Sequence, residues 1–315
     1  MAIKPSQYIW SQGRLIPWEE ATVHVLTHAI HYGSSIFEGI RAYATDNGPT
    51  FFRLEDHIRR MFESARIHRM DTPFTPEELT RACHQVVSAN NLESAYIRPI
   101  IFYGYDSLGV VPQPDSLQAV IAAFEWGAYL GEEALANGVD VGVCSWQRPA
   151  PNTFPTMAKA GGNYLASSLM SQEAKRNGFK EAIALDSRGY LSEGPGENLF
   201  LVRDNVIYTP SIENAILMGI TRDSVMQIAR RLGYEVREQV LPREFLYVAD
   251  ELFFTGTAAE VTPIRSVDHM MVGDGKRGPV AEAIQKAFFD LVTGKSTDFD
   301  NWLEPVAHQP AMAEV

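Results

Sequence analysis

The order of the predicted strands and helices in residues 1–127 is the feature that most limits the fold. Alternating apolar and polar residues, with turn residues between them, predict hairpins over residues 8–16 and 35–54. Two helices and then two strands follow, over residues 55–70, 77–90, 95–103 and 118–126. Because strands and helices are grouped and do not alternate, the order predicts an α+β fold and not a series of βαβ units.

The length of the chain predicts two domains. A single hydrophobic core usually stops growing near about 250 to 300 residues, and this chain has 315. A stretch with three glycines gives the predicted boundary. We expect a small N-terminal domain over residues 1–127, an interdomain loop over 128–138 and a larger C-terminal domain over 139–315.

Within the larger domain, turn residues separate the predicted elements clearly. We expect a helix from Asn163 to Asn177, a meander of strands over residues 181–208, and a helix that Thr221 caps and Gly233 ends. A strand and a final helix complete the domain, over residues 251–256 and 279–293.

Composition excludes several classes of partner. The net charge of −12 argues against nucleic acid, because binding to a phosphate backbone needs clustered Lys and Arg. The sequence contains no run of about 18 apolar residues, the length that a membrane-spanning helix needs. The two cysteines, Cys83 and Cys144, form neither a disulfide framework nor a metal-binding spacing. These features predict a cytoplasmic protein.

Lys159 is the candidate for the chemical centre. It is the only charged residue between Arg148 and Glu173, and its neighbours are small or apolar. A lysine in such surroundings can lose its proton by desolvation and act as a nucleophile that forms Schiff bases. The alternative is a surface lysine whose ammonium reaches water from a loop.

Three short motifs resemble known sites but lack their surroundings. Gly194-Pro195-Gly196 has no third glycine and no βαβ unit around it, which argues against dinucleotide binding. Gly294-Lys295-Ser296 follows a predicted helix instead of a strand, so it does not match a P-loop. His24, His28 and His31 have ligand-like spacing, but no nearby Asp or Cys completes the set, and we predict no metal site.

Three further features gain meaning if Lys159 holds an aldehyde cofactor. Glu193 ends a predicted strand among glycines, where a carboxylate could face a ring nitrogen; otherwise it is an acidic turn. The segment 219–222 opens a helix, whose free amides can hold a phosphate or simply be capped. The small residues over 255–259 could offer amides to an anion or form a plain turn.

Taken together, these motifs occur in one order with family-like spacing. They are His57-Ile58-Arg59-Arg60, Lys159-Ala160-Gly161-Gly162-Asn163-Tyr164, Glu193-Gly194 with Asn198-Leu199-Phe200, Gly219-Ile220-Thr221-Arg222 and Gly256-Thr257-Ala258-Ala259-Glu260. From about Tyr8 to Trp302 the chain resembles the branched-chain amino acid aminotransferases of the fold type IV pyridoxal-phosphate group. The resemblance implies an α+β fold with a small α/β N-terminal domain, a larger mixed α/β pseudo-barrel domain and the cofactor between them.

The resemblance implies pyridoxal 5'-phosphate as the cofactor. Lys159 would carry it as a Schiff base, Glu193 would pair with its pyridine nitrogen, and Tyr164 would hydrogen-bond its ring hydroxyl. Four residues would hold its phosphate: Arg60, Ile220, Thr221 and Thr257.

It also implies one pocket for two kinds of amino acid. The apolar wall would be aromatic, formed by Tyr32, Phe37, Trp126, Tyr129 and Tyr164. Arg98 would receive the distal carboxylate of L-glutamate, and Tyr96 with the amides of Thr257 and Ala258 would hold the α-carboxylate.

The implied reaction is a reversible ping-pong transamination. L-leucine, L-isoleucine or L-valine would give its amino group to 2-oxoglutarate, which yields branched-chain 2-oxo acids and L-glutamate. The loop over residues 104–111, with Leu108 and Val110, would cap the neighbouring subunit's site in a homodimer. The dimer would be the minimal unit, and a hexamer is a further expected assembly.

Alternatives remain open. Within the same fold, the chain could be a D-amino acid aminotransferase or an aminodeoxychorismate lyase. The pattern Tyr96-x-Arg98-Pro99 favours the branched-chain enzymes, because D-amino acid aminotransferases typically have Arg-x-His in that strand. A non-catalytic oligomer that merely keeps the fold is the alternative from another class.

Overall fold

The computed structural model describes residues 3–127 and 130–307 of the chain. The strands are β1 Tyr8–Ser11, β2 Arg14–Pro17, β3 Ser35–Phe37, β4 Ile40–Thr45, β5 Gly48–Phe52, β6 Ala95–Tyr103, β7 Leu117–Phe124, β8 Val139–Gln147, β9 Glu181–Leu185, β10 Asn198–Arg203, β11 Val206–Pro210, β12 Glu235–Gln239, β13 Glu251–Gly256, β14 Glu260–Val267, β15 Met270–Met271 and β16 Leu303–Pro305. The helices are α1 His28–Tyr32, α2 Leu54–Ile67, α3 Pro76–Ala89, α4 Glu132–Asn137, α5 Tyr164–Arg176, α6 Ile220–Arg231 and α7 Pro279–Val292. None of these helices is long and apolar enough to span a membrane.

The grouped order predicted for the first part of the chain is confirmed. The two predicted helices are α2 and α3, and the two strands after them are β6 and β7. The predicted hairpin over residues 35–54 is β4 with β5, whereas β3 pairs with β6 instead. The fold is α+β.

Contacts divide the chain into two compact units. Unit 1 comprises residues 3–126, 158–162 and 291–307, and unit 2 comprises 127, 130–157 and 163–290. The segment 158–162 lies in unit 1, although the sequence division assigned it to the C-terminal domain, because it pairs with β3 through a bridge between Ile36 and Ala160. The proposed domain boundaries themselves stay a prediction.

In unit 1, two helices pack on one sheet. The strand order is β16-β5-β4-β6-β7-β1-β2, with β3 beside β6. Helix α2 buries Leu54, Ile58 and Met61, which recur at helical spacing and so form one apolar face. Helix α3 begins at a capping box, in which the Thr75 hydroxyl accepts from the Glu78 amide and the Glu78 carboxylate accepts from the Thr75 amide. The helices thereby cover the core side of the sheet.

In unit 2, the predicted meander is confirmed for β10 and β11, which pair antiparallel, and is wrong for β9. The strand order is β12-β11-β10-β13-β14-β8-β9, with β15 beside β14. Strand β9 lies at the end of the sheet and pairs in parallel with β8, so it is not a neighbour of β10. The sequence pattern does not predict β8, and without β8 the nearest partner for β9 is the next strand along the chain.

Two local predictions also need correction. The stretch predicted as an interdomain loop contains helix α4, which Gly131 precedes and Gly138 ends. Helix α6 is capped by Gly219, and Thr221 lies inside its first turn without a side-chain cap. A β-carbon at Gly219 would lie 1.9 Å from Asn198 Oδ1, so the packing of Asn198 excludes a larger residue there.

Candidate active site

Lys159 is held at the edge of β3 in unit 1. The Phe37 amide donates to the Lys159 carbonyl at 3.0 Å, and the Lys159 amide donates to the Ser64 hydroxyl on α2 at 3.0 Å. Its neighbours Ala158 and Ala160 are buried, while Lys159 itself is half-buried. The backbone on both sides of the amine is therefore fixed by the sheet and by α2.

Two predicted site cations face the same aromatic ring. Lys159 Nζ lies 4.9 Å from the centre of the Phe37 ring, and Arg98 Cζ lies 4.7 Å from it. The ring attracts both cations through its electron-rich face. The structure thus brings together the predicted cofactor lysine and the predicted carboxylate-binding arginine.

Arg98 is placed by the aromatic residues around Tyr96. Its Nη2 donates to the Tyr96 hydroxyl at 3.0 Å, and the Tyr96 ring lies 4.5 Å from the Trp126 ring. We call Phe37, Tyr96, Arg98, Trp126 and Lys159 the Phe37 group. Arg98 Nε is buried and has no hydrogen-bond partner among the described residues. A buried donor of this kind fits an anionic ligand.

A glycine makes room for this arrangement. A β-carbon at Gly39 would lie 2.0 Å from the Tyr96 hydroxyl oxygen, so only a residue without a side chain lets that hydroxyl reach its place beside Arg98. The position of Tyr96 therefore depends on the chain segment between β3 and β4.

Arg60 lies in a buried ionic cluster, which we call the Glu38 cluster and which comprises Glu38, His57 and Arg60. Arg60 Nε and Nη2 donate to the two Glu38 oxygens at 2.7 and 2.8 Å, and His57 Nδ1 donates to Glu38 Oε2 at 2.8 Å. Glu38 is fully buried.

Electrostatics fix the protonation of this cluster. Burial opposes ionisation of Glu38, but the Arg60 charge and the hydrogen bonds from His57 and Arg60 outweigh it and hold the pKa of the carboxyl well below its usual range. Burial lowers the pKa of His57, against the hydrogen bond and charge of Glu38. The cluster therefore consists of a carboxylate, a guanidinium and a neutral imidazole.

The loop that carries Leu108 and Val110 packs on α1. The Tyr32 hydroxyl donates to the Leu108 carbonyl at 2.8 Å, and His28 Nε2 donates to the Gly109 carbonyl at 2.9 Å. Tyr32 is nearly half exposed, and Val110 is 78% exposed. The hydroxyl of Tyr32 is therefore held by this loop.

The three histidines with ligand-like spacing have other contacts. The Leu26 amide donates to His24 Nδ1 at 3.1 Å. His28 Nδ1 lies 2.6 Å from the Ser34 hydroxyl, and His31 Nε2 donates to the Val25 carbonyl at 3.0 Å. Over residues 3–127 and 130–307, no group of three or more His, Cys, Asp and Glu side chains could hold a metal ion.

In unit 2, Glu193 is buried and surrounded by donors. Its Oε1 pairs with Arg148 Nη2 at 2.8 Å. Its Oε2 accepts from Asn198 Nδ2 at 2.8 Å and from the Leu217 amide at 3.0 Å. Ionised carboxylates are stabilised by such donors, so Glu193 is arranged as a fixed negative charge.

The predicted phosphate-binding residues of unit 2 lie at helix and strand ends. Ile220 and Thr221 occupy the first turn of α6, where backbone amides are not used within the helix. Thr257 and Ala258 follow the end of β13 and are half-buried. Nearby on β13, the buried Thr255 Oγ1 has no hydrogen-bond partner among the described residues.

Tyr164 and Tyr129 complete the predicted set. Tyr164 is the first residue of α5 and is half-buried. Tyr129 lies outside the described residues.

Comparisons with known proteins identify the family of the chain. The model of the class IV amino-transferase family matches residues 35–267. The chain belongs to this family. The branched-chain-amino-acid aminotransferase of Salmonella typhimurium is 54% identical over 307 residues, which cover 97% of this chain and 99% of that protein.

Solved structures of family members share the fold. The branched-chain amino acid aminotransferase of Escherichia coli superposes with a TM-score of 0.94 at 54% identity and covers 96% of this chain and 100% of that one. The corresponding enzyme of Thermobaculum terrenum, solved in its form with pyridoxal phosphate, gives a TM-score of 0.90 at 36% identity and covers 96% and 99%. The fold type IV architecture is thus that of the family.

Sequence reasoning missed three residues that support the family motifs. Glu38, Arg148 and Asn198 hold Arg60 and Glu193, yet none of them was given a role. Glu38 left one usable signal, since it is the only acidic residue between Glu20 and Asp46 and lies among apolar residues. Asn198 also left a signal, since it belongs to the same short motif as Glu193, whereas nothing in the local sequence of Arg148 points to Glu193.

Proposed function

We propose that this protein transfers the amino group of L-leucine, L-isoleucine or L-valine to 2-oxoglutarate, with pyridoxal 5'-phosphate as its cofactor. The names of the similar family members support the substrates, and the pyridoxal-phosphate form of the Thermobaculum terrenum enzyme supports the cofactor. The observation that carries the proposal is the pairing of Lys159 and Arg98 on the Phe37 ring.

The residues present fit such a cofactor. When bound, it supplies an aldehyde that exchanges amino groups and a ring that takes up electrons from the substrate. Lys159 offers the amine, and Glu193 offers a carboxylate fixed by Arg148, Asn198 and the Leu217 amide. The buried Thr255 hydroxyl without a partner is a donor that a bound group could satisfy.

Phosphate would be held by two kinds of donor. Arg60 supplies a guanidinium, which matches phosphate geometry through paired N–H donors. Ile220 and Thr221 supply amides of the first turn of α6, whose dipole favours an anion. Thr257, which follows the end of β13, would be a further contact to the phosphate.

Substrate recognition follows from the Phe37 group. Phe37, Tyr96 and Trp126 supply apolar surface for a branched side chain. Arg98 Nε, buried without a partner, is the donor we assign to the distal carboxylate of glutamate. An apolar substrate leaves Arg98 against the Phe37 and Tyr96 rings, which explains how one pocket can serve both.

Lys159 would also move the proton. Its Nζ would accept the proton from the α-carbon of the amino acid as a general base. The contact with Phe37 limits the directions the amine can take, and the bonds to Ser64 and Phe37 keep its backbone in place.

A homodimer is part of the proposal. Unit 1 exposes a group of large apolar residues on two segments, comprising Val23, Val25, Leu26, Ile30, Tyr32, Tyr105, Leu108, Val110 and Val111. Exposed apolar groups of this size mark interaction surfaces. A second copy would cover them, and Val110→Asp should then give monomers in sedimentation, whereas Val248→Asp, at an exposed valine of unit 2, should not.

A cytoplasmic location completes the proposal. Cys83 and Cys144 are both free and buried, as in proteins of a reducing compartment.

The deciding experiment is a spectroscopic half-reaction screen of the purified protein loaded with pyridoxal phosphate. L-leucine, L-isoleucine, L-valine and L-glutamate should each convert the cofactor to its aminated form. Conversion by D-alanine alone would replace the proposal with a D-amino acid aminotransferase. A protein that takes up no cofactor would be a non-catalytic member of the fold.

A further inference from the structure

The Glu38 cluster contains a carboxylate that cannot meet a ligand itself. Glu38 lies between β3 and β4 and has 0% exposure. Its Oε1 accepts from Arg60 Nε, and its Oε2 accepts from Arg60 Nη2, His57 Nδ1 and, at 3.3 Å, the Gly39 amide. Any effect of this carboxylate on a bound molecule must pass through the groups it holds.

Burying a charge in this way is costly. A carboxylate taken out of water is stable only when it is paired and its lone pairs are satisfied, and an apolar residue in its place is often no less stabilising. Fold stability alone therefore does not require an ion pair beneath α2. The cost is explained if the pair serves the orientation of Arg60.

The geometry shows what Glu38 does to Arg60. A long arginine side chain loses much rotamer freedom when it is fixed in one position. Here the carboxylate binds Nε and Nη2 together, which fixes the plane of the guanidinium and turns Nη1 away from Glu38. The Arg60 side chain keeps 10% of its surface exposed, whereas Glu38 keeps none.

His57 fixes Glu38 in turn. His57 and Arg60 are three residues apart on α2, so both side chains reach the carboxylate from one helix face. Because the carboxylate only accepts, His57 must donate from Nδ1, which settles its tautomer. The chain of contacts runs from His57 through Glu38 to Arg60.

We propose that Glu38, held by His57, is a positioning residue that prearranges Arg60 for the phosphate of the cofactor. The inference rests on the proposed function, since it needs a cofactor with a phosphate. A guanidinium that is already oriented loses less freedom on binding, and binding is tighter for that reason.

The test separates the phosphate from the rest of the cofactor. Apoprotein of the full chain is titrated with pyridoxal 5'-phosphate and with pyridoxal, and the dissociation constants are read from absorbance. Glu38→Gln keeps the shape but puts an amide N–H against the donors of His57 and Arg60. We expect Glu38→Gln to raise the dissociation constant of pyridoxal 5'-phosphate by about 10- to 100-fold and that of pyridoxal by less than about 2-fold.

Two further variants complete the design. Arg60→Met should give the same selective loss, and Glu38→Gln should add little in the Arg60→Met background, because both act through one contact. Glu181→Gln is the matched control, since Glu181 is also buried but bonds to Ser171 and contributes nothing to the cluster. It should leave the ratio of the two dissociation constants unchanged.

Different outcomes test the positioning role of Glu38, the phosphate contact of Arg60 and the proposed function. Equal losses for both ligands in Glu38→Gln, or no loss, would overturn the positioning role while the proposed function stands. An unchanged ratio in Arg60→Met would remove the phosphate contact on which the inference depends. Wild-type protein that binds neither ligand would overturn the proposed function.

Poor folding of Glu38→Gln would not leave the inference untested. His57→Leu removes the donor that fixes Glu38, so it should weaken the binding of pyridoxal 5'-phosphate more than that of pyridoxal. His57→Asn retains an amide donor and should restore most of that affinity. If both variants bind pyridoxal 5'-phosphate like the wild type, the chain of contacts has no positioning role.

Discussion

Each unit contains one buried pair of a glutamate and an arginine from the predicted site or its supports, and the two pairs are exposed differently. In unit 1 the side chain of Arg60 is 10% exposed and that of Glu38 is 0%. In unit 2 the side chains of Arg148 and Glu193 are both 6% exposed. In unit 1 the small residual exposure thus belongs to the cation alone, whereas in unit 2 the cation and the carboxylate share it equally.

The residues around the two pairs follow the same division. Unit 1 groups cationic side chains, with Lys159 and Arg98 on the Phe37 ring. Unit 2 offers the Glu193 carboxylate together with the first-turn amides of α6. The two units therefore offer groups of opposite charge, cationic side chains in unit 1 and a carboxylate in unit 2.

Loss of Lys159 should have the largest effect. Lys159→Ala removes the only amine of the Phe37 group, so we expect turnover to fall by at least about 10³-fold. Steady-state rates with leucine and 2-oxoglutarate measure this. Lys175→Ala, at an exposed lysine of α5, should keep its rate. Normal turnover in Lys159→Ala would remove Lys159 from the chemistry.

Replacing the arginine should destabilise the protein more in the Glu38–Arg60 pair than in the Glu193–Arg148 pair. Arg60→Met leaves a carboxylate with no access to water, and breaking a buried pair in this way costs about 3 to 5 kcal/mol. Arg148→Met should cost less, because Glu193 keeps some exposure and its bonds to Asn198 and Leu217. Urea unfolding of both apoproteins checks the order, which an equal or larger loss in Arg148→Met would contradict.

Arg98→Leu tests whether this cation of unit 1 recognises the distal carboxylate of glutamate. Without the donor at Nε, the half-reaction with glutamate should slow by about 10- to 100-fold relative to that with leucine. Single-turnover rates with the two amino acids give the ratio, and the leucine reaction is the internal control. Equal losses would mean that Arg98 does not distinguish a carboxylate from an apolar group.

The smallest effect is expected from pH. The pKa of His57 and that of Glu38 are both lowered in the folded protein, so both groups bind fewer protons there than in the unfolded chain. Their contribution to stability is present above the unfolded pKa values and is lost as pH falls, first below about 6.5 for His57 and then below about 4.3 for Glu38.

Urea midpoints measured from pH 8 to pH 5 test the first of these steps. His57→Asn has no group that titrates there, so its decline should be shallower than that of the wild type. His68, whose pKa burial also lowers, contributes to both proteins and cancels in the comparison. Identical slopes would show that His57 does not take part in the pH dependence.

Local sequence was sufficient for the elements with strong periodicity or turn chemistry. Strands β6 and β13 have the predicted bounds, and α2, α3 and α5 lie within a few residues of theirs. The partner of β9 could not be predicted, because β8 was not recognised and pairing between strands depends on residues far apart in the chain. The side chain of Thr221 predicts the cap of α6 there, whereas the cap is Gly219, where the position of Asn198 leaves no room for a side chain.

The sequence by itself determined which groups are present: the isolated Lys159, the motifs around Glu193 and α6, and the residues that resemble the family. Such motifs are short runs of neighbouring residues, and these are the same whether or not the chain is folded. Only the tertiary structure decided which groups support them. Glu38 reaches Arg60 and Arg148 reaches Glu193 across separations of 22 and 45 residues. A buried charge is stable only with its partner in place, and the partner becomes visible only when folding has brought the two together.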